Sequence, residues 1–355
     1  MIRILIADDS AIVRSMLGEI LNSDERFETA GFAENGEQAV ELNKSLSPDL
    51  IVMDVNMPVK NGIDATKEIL SCSNPAVVIF TTEDTVETAF RLGLTAGALD
   101  IIKKPNFAVM TQSMLKDFAD KLFFIGEKRK RDLRLKSKLK LNEKQLPLFP
   151  PVQDKRDDGG IKKYRLVVIG SSTGGPAALQ KVLSGLKKDF PLPVLITQHI
   201  DPVFDSHFAS WLDESCELKV EIAQTNTVPL PGHVYISPAD FHLTLVRHQT
   251  DYTKCRLFLS KEPPVHFLRP AVDKLFESAA RVFGGNVIAV ILTGMGHDGT
   301  QGCMDLYSKG ALTIAQSEET CVMYGMPKSA VDAGCITQVV PLDQIAHYLR
   351  NVSGL

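Results

Sequence analysis

The stretch Arg165-Leu-Val-Val-Ile-Gly-Ser-Ser-Thr-Gly-Gly-Pro176 joins an apolar run to a glycine-rich turn. The apolar run is typical of a buried parallel strand, and the glycines allow a sharp entry into a helix. Two further runs of this kind, Val194–Gln198 and Val287–Thr293, also end in polar or glycine-rich sequence. The second half of the chain is therefore predicted to be a doubly wound α/β sheet, with its chemistry at the carboxyl ends of the strands.

Shorter segments between these runs add further predicted strands. We expect strands over His233–Ile236, Leu243–Val246 and Arg256–Leu259, and we interpret the three as an antiparallel excursion.

The glycine-rich turn places Ser172 where backbone amides at a helix start favour negative charge. It is not a Walker loop, since no Lys-Ser/Thr follows the glycines, and it does not match the dinucleotide fingerprint. It also differs from the G-x-S-x-G elbow, because Thr173 separates Ser172 from Gly174. The loop alone leaves passive anion binding and nucleophilic catalysis both open.

The other strand ends favour catalysis. His199 closes the run Val194–Gln198, and Asp298 lies in the turn Thr293-Gly-Met-Gly-His-Asp-Gly299. A histidine beside a serine acts as a general base, and an aspartate behind it holds the imidazole tautomer and stabilises the imidazolium. Ser172, His199 and Asp298 are thus candidate triad residues, and His266 and His297 are candidates for lining the same pocket.

The first half of the chain has five apolar runs that alternate with helical patterns: Ile2–Ala7, Phe27–Ala33, Leu50–Asp54, Ala76–Thr81 and Leu99–Ile102. This alternation predicts a second doubly wound parallel sheet.

Three carboxylates follow neighbouring strands of this predicted sheet: Asp8 and Asp9 after the first and Asp54 at the end of the third. Such a cluster repels itself unless a divalent cation neutralises it, and oxygen-only ligands suit Mg²⁺. Lys104 and Thr81 end two further strands and would add a cation and a hydroxyl. These are the groups needed to accept a phosphoryl group on a carboxylate; the alternative is that Asp8 and Asp9 only cap the first helix.

At this point the first half resembles the receiver domains of bacterial response regulators. The motifs are Asp8-Asp9, Asp54-Val-Asn-Met-Pro58 with Gly62, Thr81, and Lys104-Pro105. The resemblance implies a five-stranded flavodoxin-like fold and phosphorylation of Asp54 by a histidine kinase. It implies Mg²⁺ at Asp8, Asp9, Asp54 and the carbonyl of Asn56. One departure is Ile101, where receivers often carry an aromatic residue.

The second half resembles the chemotaxis protein-glutamate methylesterases, the CheB family. The motifs are Gly170–Gly175, Ile196-Thr-Gln-His199, Pro231–Pro238, Arg269–Asp273, Ile291–Gly299 and Gly325-Met-Pro327. The resemblance implies a Rossmann-like α/β domain with Ser172 as nucleophile, His199 as base and Asp298 as orienting acid. The amides of Met295 and Thr173 are the implied oxyanion donors, and no cofactor is expected there.

The activity so implied is hydrolysis of glutamate methyl esters on chemoreceptors, with glutamine deamidation as a further reaction. Two alternatives remain. One is a response regulator whose output binds nucleic acid through the basic run 128–144. The other is an esterase acting on a different signalling protein.

Composition agrees with this organisation. The 355 residues suggest two domains, and a net charge of −4 provides no general attraction to nucleic acid. No signal peptide or apolar run of about 18 residues is found, and the six cysteines show no paired spacing, so a cytoplasmic protein without membrane insertion is expected. The predicted organisation is a receiver domain over 1–125, a linker over 126–162 and a catalytic domain over 163–355.

Overall fold

The computed structural model describes residues 1–82, 84, 86–139, 164–248, 250–251 and 254–354. Contacts divide the chain into two compact units, Met1–Leu141 and Asn142–Leu355. No helix in these described ranges combines the length and the apolar character that crossing a bilayer requires.

The first unit is a five-stranded parallel sheet with strand order β2-β1-β3-β4-β5, flanked by helices. Its strands are β1 (Ile2–Ala7), β2 (Phe27–Ala33), β3 (Leu50–Asp54), β4 (Ala76–Thr81) and β5 (Asp100–Lys103). Its helices are α1 (Ala11–Asn22), α2 (Gly36–Leu46), α3 (Gly62–Cys72), α4 (Val86–Thr88, continued by a π-helix over Ala89–Leu94) and α5 (Gln112–Leu139).

Four of the five predicted strands have the predicted bounds. The fifth begins one residue later, at Asp100, and continues to Lys103, because Lys103 still pairs with Thr81. Every residue of β3 and β4 is buried, as expected for central strands covered on both faces. The carboxyl ends of β1 and β3 are neighbours, since Ala7 pairs with Met53.

The last helix of this unit runs beyond the predicted domain boundary. The predicted linker, 126–162, starts inside α5, which continues to Leu139. Residues 140–163 lie outside the described part of the chain, and with them the last residues, 140–144, of the basic run 128–144. The domain boundaries therefore stay a prediction.

The second unit is a seven-stranded, wholly parallel sheet with strand order β14-β13-β12-β6-β7-β9-β8, and β10 and β11 form a separate antiparallel pair. Its strands are β6 (Leu166–Ser171), β7 (Val194–Gln198), β8 (Lys219–Ile222), β9 (His233–Ile236), β10 (His242–Arg247), β11 (Cys255–Ser260), β12 (Val287–Ile291), β13 (Leu312–Gln316) and β14 (Gln338–Val340). Its helices are α6 (Gly175–Ser184), α7 (Asp205–Ser215), α8 (Val272–Phe283), α9 (Thr300–Ser308), α10 (Met326–Asp332) and α11 (Leu342–Val352).

The predicted antiparallel excursion is confirmed for β10 and β11 and wrong for β9. The first strand of that prediction, His233–Ile236, joins the main sheet instead, where Val234 pairs in parallel with Val194 and Val220. The physical reason is burial: Val234, Tyr235 and Ile236 are all covered by the sheet's layers.

The order of strands reverses between β12 and β6, since the chain moves from β6 to β7 on one side and returns to β12 on the other. A crevice at the carboxyl ends of parallel strands is expected at such a switch point. The predicted fold class, two doubly wound parallel α/β units, is thereby confirmed.

Candidate active site

Ser172 and His199 directly follow two strands that are neighbours in the sheet. Ser171 pairs with Gln198 at the ends of β6 and β7, and the His199 amide donates to the Ser171 carbonyl at 3.0 Å. The Ser172 amide donates to the carbonyl of Thr293, just beyond β12, also at 3.0 Å. The polar residues that follow β6, β7 and β12 therefore meet at the switch point.

The Gln198 side chain holds the two loops together. This side chain is 2 % exposed. Its Nε2 donates to the carbonyls of Ser172 (2.9 Å) and His199 (2.8 Å), and its Oε1 accepts from the Ser171 hydroxyl at 2.6 Å. Gly175 makes this possible, because a Cβ there would lie 2.0 Å from that oxygen. Gln198 is thus a positioning residue for the backbone of Ser172 and His199, a role that the sequence alone did not reveal.

His199 and Asp298 are in direct contact: His199 Nε2 lies 2.8 Å from Asp298 Oδ2. Asp298 is buried, and Oδ2 and Oδ1 also accept from the amides of Val272 (2.7 Å) and Asp273 (3.0 Å) at the start of α8. Burial raises the pKa of Asp298, but the hydrogen bond and charge of His199 outweigh it and hold the pKa below its usual range. The carboxylate therefore accepts the Nε2 proton, which leaves Nδ1 as the basic nitrogen.

Within the described residues, no hydrogen bond joins the Ser172 hydroxyl to the His199 ring. Catalytic hydrogen bonds are often long before substrate is bound, so Ser172 and His199 both stay candidate catalytic residues without this bond. What brings the two together is the backbone, through the Ser171–Gln198 pair.

Two backbone amides lie in segments next to Ser172. Thr173 is its chain neighbour, and Met295 follows Gly294, where an added Cβ would lie 2.8 Å from Ser172 Cβ. Neither amide donates a hydrogen bond to any residue that the structure describes. Two unused amides beside a serine are the donors that an oxyanion requires.

Thr293 links the loop that carries Ser172 to the segment around Met323. Its hydroxyl donates to the Thr173 carbonyl at 3.0 Å and accepts from the Met323 amide at 2.9 Å. Its own amide donates to Gln316 Oε1 at the end of β13, at 2.8 Å. Thr293 lay within a recognised motif, whereas no sequence signal pointed to Gln316.

The two histidines predicted to line the pocket contact each other. The ring centroids of His266 and His297 are 4.4 Å apart in an edge-to-face arrangement. His266 Nε2 lies 3.9 Å from Oδ2 of Asp273, a carboxylate that is 3 % exposed and accepts from the Gly302 amide at 2.9 Å. Burial raises the pKa of Asp273 to about 6, and the charge of Asp298 adds to that increase.

The first unit contains the predicted carboxylate cluster. Oxygen atoms of Asp8, Asp9 and Asp54 all lie within 4.8 Å of one another. Lys104 Nζ lies 2.7 Å from Asp8 Oδ2 and 2.9 Å from Asp54 Oδ2. Burial raises the pKa of Asp54 to about 6 despite the opposing effect of Lys104. A second cation would therefore stabilise the cluster, and the all-oxygen donor set fits Mg²⁺.

The remaining predicted residues surround this cluster. Thr81 is buried at the end of β4, and its hydroxyl donates to the Thr82 carbonyl at 3.2 Å. Asn56 is exposed in the loop after β3, and Ile101 is buried in β5. Gly62 starts α3 so close to β3 that a Cβ would lie 1.7 Å from the Asp54 carbonyl. The receiver motif residues thus meet at one end of the sheet.

Comparison with known proteins gives the same division of the chain. The family model "CheB methylesterase" matches residues 167–349, and the model "Response regulator receiver domain" matches residues 4–115. The catalytic half is similar to the solved Thermotoga maritima CheB methylesterase catalytic domain, with 42% identity and a TM-score of 0.51. That match covers 53% of this chain and 97% of the solved one.

Two relatives match this chain over nearly its whole length. The chain is 36% identical over 352 residues to the protein-glutamate methylesterase/protein-glutamine glutaminase 2 of Vibrio vulnificus, covering 98% of this chain and 97% of that protein. It is 38% identical over 356 residues to the corresponding protein of Halalkalibacterium halodurans, covering 97% and 96%. The family predicted from the sequence is thereby confirmed: the chain belongs to the CheB methylesterase family, with a response regulator receiver domain preceding the methylesterase domain.

Proposed function

We propose that this chain hydrolyses methyl esters of glutamate side chains on chemoreceptors, releasing methanol, and that phosphorylation of Asp54 activates it. The observation that carries the catalytic part is the convergence of Ser172, His199 and Asp298 after three adjacent strands, with His199 bonded to Asp298. The names of the relatives support the substrate class.

Ser172 Oγ attacks the ester carbonyl while its proton passes to Nδ1 of His199. The imidazolium so formed is stabilised by Asp298, whose pKa is held low enough for it to stay ionised. The carbonyl oxygen becomes an oxyanion, which accepts hydrogen bonds from the amides of Thr173 and Met295. A donor of this kind contributes a factor of about 10² to 10³ in turnover.

The tetrahedral intermediate collapses when His199 Nδ1 returns its proton to the methoxide, and methanol leaves. A water molecule then attacks the acyl-Ser172 ester, again with His199 as base, and frees the glutamate carboxylate. A glutamine side chain would enter the same acyl-enzyme with ammonia as the leaving group. Deamidation therefore needs no additional residue.

In the receiver domain, Asp54 Oδ is the proposed phosphoryl acceptor and a histidine kinase the donor. Asp8, Asp9, Asp54 and the Asn56 carbonyl would hold Mg²⁺, which supplies charge neutralisation for the incoming phosphoryl group. Lys104 already contacts Asp8 and Asp54, and from there it can pair with a phosphoryl oxygen. Thr81, buried at the end of the neighbouring strand β4, is the proposed switch hydroxyl that responds to that group.

The test measures methanol released from a methyl-esterified chemoreceptor fragment by the full-length protein. Ser172→Ala and His199→Ala should each lower kcat by roughly four to six orders of magnitude. The matched control is Ser184→Ala, an exposed serine at the end of α6, which should leave kcat unchanged. Wild-type turnover by Ser172→Ala would exclude serine catalysis.

The regulatory part has its own experiment. A small-molecule phosphodonor with Mg²⁺ should raise methanol release by wild-type protein and not by Asp54→Asn. Equal stimulation of Asp54→Asn would place the acceptor elsewhere.

A further inference from the structure

A tight turn, Val265–Leu268, lies in the segment between β11 and α8. The amide of Val265 donates to the Leu268 carbonyl at 3.0 Å, and the amide of Leu268 donates back at 2.8 Å. The two central residues both have positive φ, 50° at His266 and 64° at Phe267. Turns of this geometry favour glycine or asparagine, so two bulky side chains here are held at a conformational cost.

Phe267 is fully exposed, with a relative accessibility of 102 %. It therefore makes no packing contribution that would offset the strain of its backbone. Backbone strain that no packing interaction of the same residue offsets is characteristic of functional sites. An isolated apolar side chain on a rigid turn is also what a contact with another surface requires.

The turn is attached to the candidate active site through its other central residue. His266 packs edge-to-face on His297, which immediately precedes Asp298. His266 also approaches the Asp273 carboxylate in the first turn of α8, whose amide holds Asp298. The histidine thus contacts residues that adjoin Asp298, while the adjacent phenylalanine is exposed to solvent.

We propose that Phe267 is a specificity-determining residue: it contacts apolar side chains of a protein substrate next to the esterified glutamate. This inference rests on the proposed function. The esterified side chain ends in a single methyl group, which offers the Ser172 site only a small surface to bind. An aromatic contact outside the site would supply recognition of the surrounding protein surface without touching the reacting atoms.

The experiment compares two substrates of the full-length protein: a methyl-esterified chemoreceptor fragment and p-nitrophenyl acetate, a small ester with no protein surface. Phe267→Gly is the decisive variant. Glycine tolerates positive φ, so the melting temperature should be maintained or raised, and any loss cannot be assigned to misfolding. We expect KM for the receptor fragment to increase about tenfold, as for a truncated interface aromatic.

Three readouts separate this role from others. Phe267→Gly should hydrolyse the small ester at the wild-type rate. Phe267→Leu should have a KM for the receptor fragment close to that of wild type. Phe258→Ala, at an exposed phenylalanine on β11, should behave as wild type on both substrates. An unchanged receptor KM in Phe267→Gly overturns the inference, as does an equal loss on both substrates. Higher activity of unphosphorylated Phe267→Gly also overturns it, because the residue would then contact the receiver domain. Wild-type protein that cleaves the small ester and not the receptor fragment would instead refute the proposed function.

Discussion

The carboxylate of Asp298 accepts a hydrogen bond from the backbone amide of Asp273 at 3.0 Å, so the acid of the proposed triad is held by the helix that also buries a second carboxylate. The two carboxylates respond oppositely to this arrangement. Asp298 has a lowered pKa because His199 pairs with it, whereas burial raises the pKa of Asp273 to about 6. These opposite shifts make separate predictions.

The first prediction concerns stability and pH. An aspartate in an unfolded chain has a pKa of about 3.9, so between about pH 4 and about pH 6 folded Asp273 binds more protons than unfolded Asp273. Its stabilising contribution is present below that window and is lost as pH rises through it. Asp298 and Glu277 raise this pKa further and His266 lowers it. Asp273→Asn should therefore gain stability over wild type as pH rises, on the order of 2 kcal/mol.

Urea unfolding of both proteins from pH 4 to pH 7 measures that difference. Asp305→Asn, at a half-buried position in α9, is the control and should show no such trend. A wild-type–variant difference that is flat across the window would contradict the assigned pKa.

The second prediction concerns the tautomer of His199. In Asp298→Asn an NH₂ group takes the place of Oδ2, the oxygen that faces His199 Nε2 and also accepts from the Val272 amide. The remaining oxygen keeps its hydrogen bond from the Asp273 amide. The new NH₂ group then faces Nε2 and favours the tautomer with the proton on Nδ1, which cannot accept the Ser172 proton. We expect kcat to fall by about 10⁴ with little change in KM. Nitrogen NMR of labelled His199 should show the proton moving from Nε2 to Nδ1, and an unchanged tautomer would reject this explanation.

The third prediction concerns Gln198. Replacement by Ala removes the side chain that joins the Ser172 and His199 carbonyls. The His199 carbonyl loses its donor, while the Ser172 carbonyl keeps only the Gly175 amide. The displacement of the nucleophile should lower kcat by about ten- to a hundredfold, with KM less affected. Gln301→Ala, on the exposed face of α9, is the control. A KM effect without a kcat effect would mean that Gln198 binds substrate instead of positioning the triad.

The fourth prediction concerns charge at the receiver cluster. Lys104→Met leaves Asp8 and Asp54 buried without their cation, so unfolding free energy should fall by roughly 1 to 3 kcal/mol. Mg²⁺ should restore much of this loss and raise the melting temperature more than it does in wild type, because Lys104 no longer neutralises the two carboxylates. Lys116→Met, which removes an exposed pairing with Asp120, should not gain this Mg²⁺ response. Identical Mg²⁺ effects in all three proteins would argue against a cation site at these carboxylates.

The sequence by itself determined the two-sheet architecture, the family and the strand ends at which the candidate residues stand. It could do so because a buried parallel strand requires an uninterrupted apolar run, and the polar or glycine-rich residues that follow such a run mark the sheet's carboxyl edge. Even so, local pattern misassigned β9, because a short apolar run is compatible with either a parallel or an antiparallel neighbour.

Only the tertiary structure decided how these residues meet. That Nε2 rather than Nδ1 of His199 faces Asp298 depends on two residues 99 positions apart in the chain. Other contacts likewise join distant segments: the start of α8 donates to Asp298, Gln198 bridges two loops, and His266 connects the Phe267 turn to His297. Hydrogen-bond partners and ring contacts are set by the packing of sheet and helices, and no local sequence pattern encodes them.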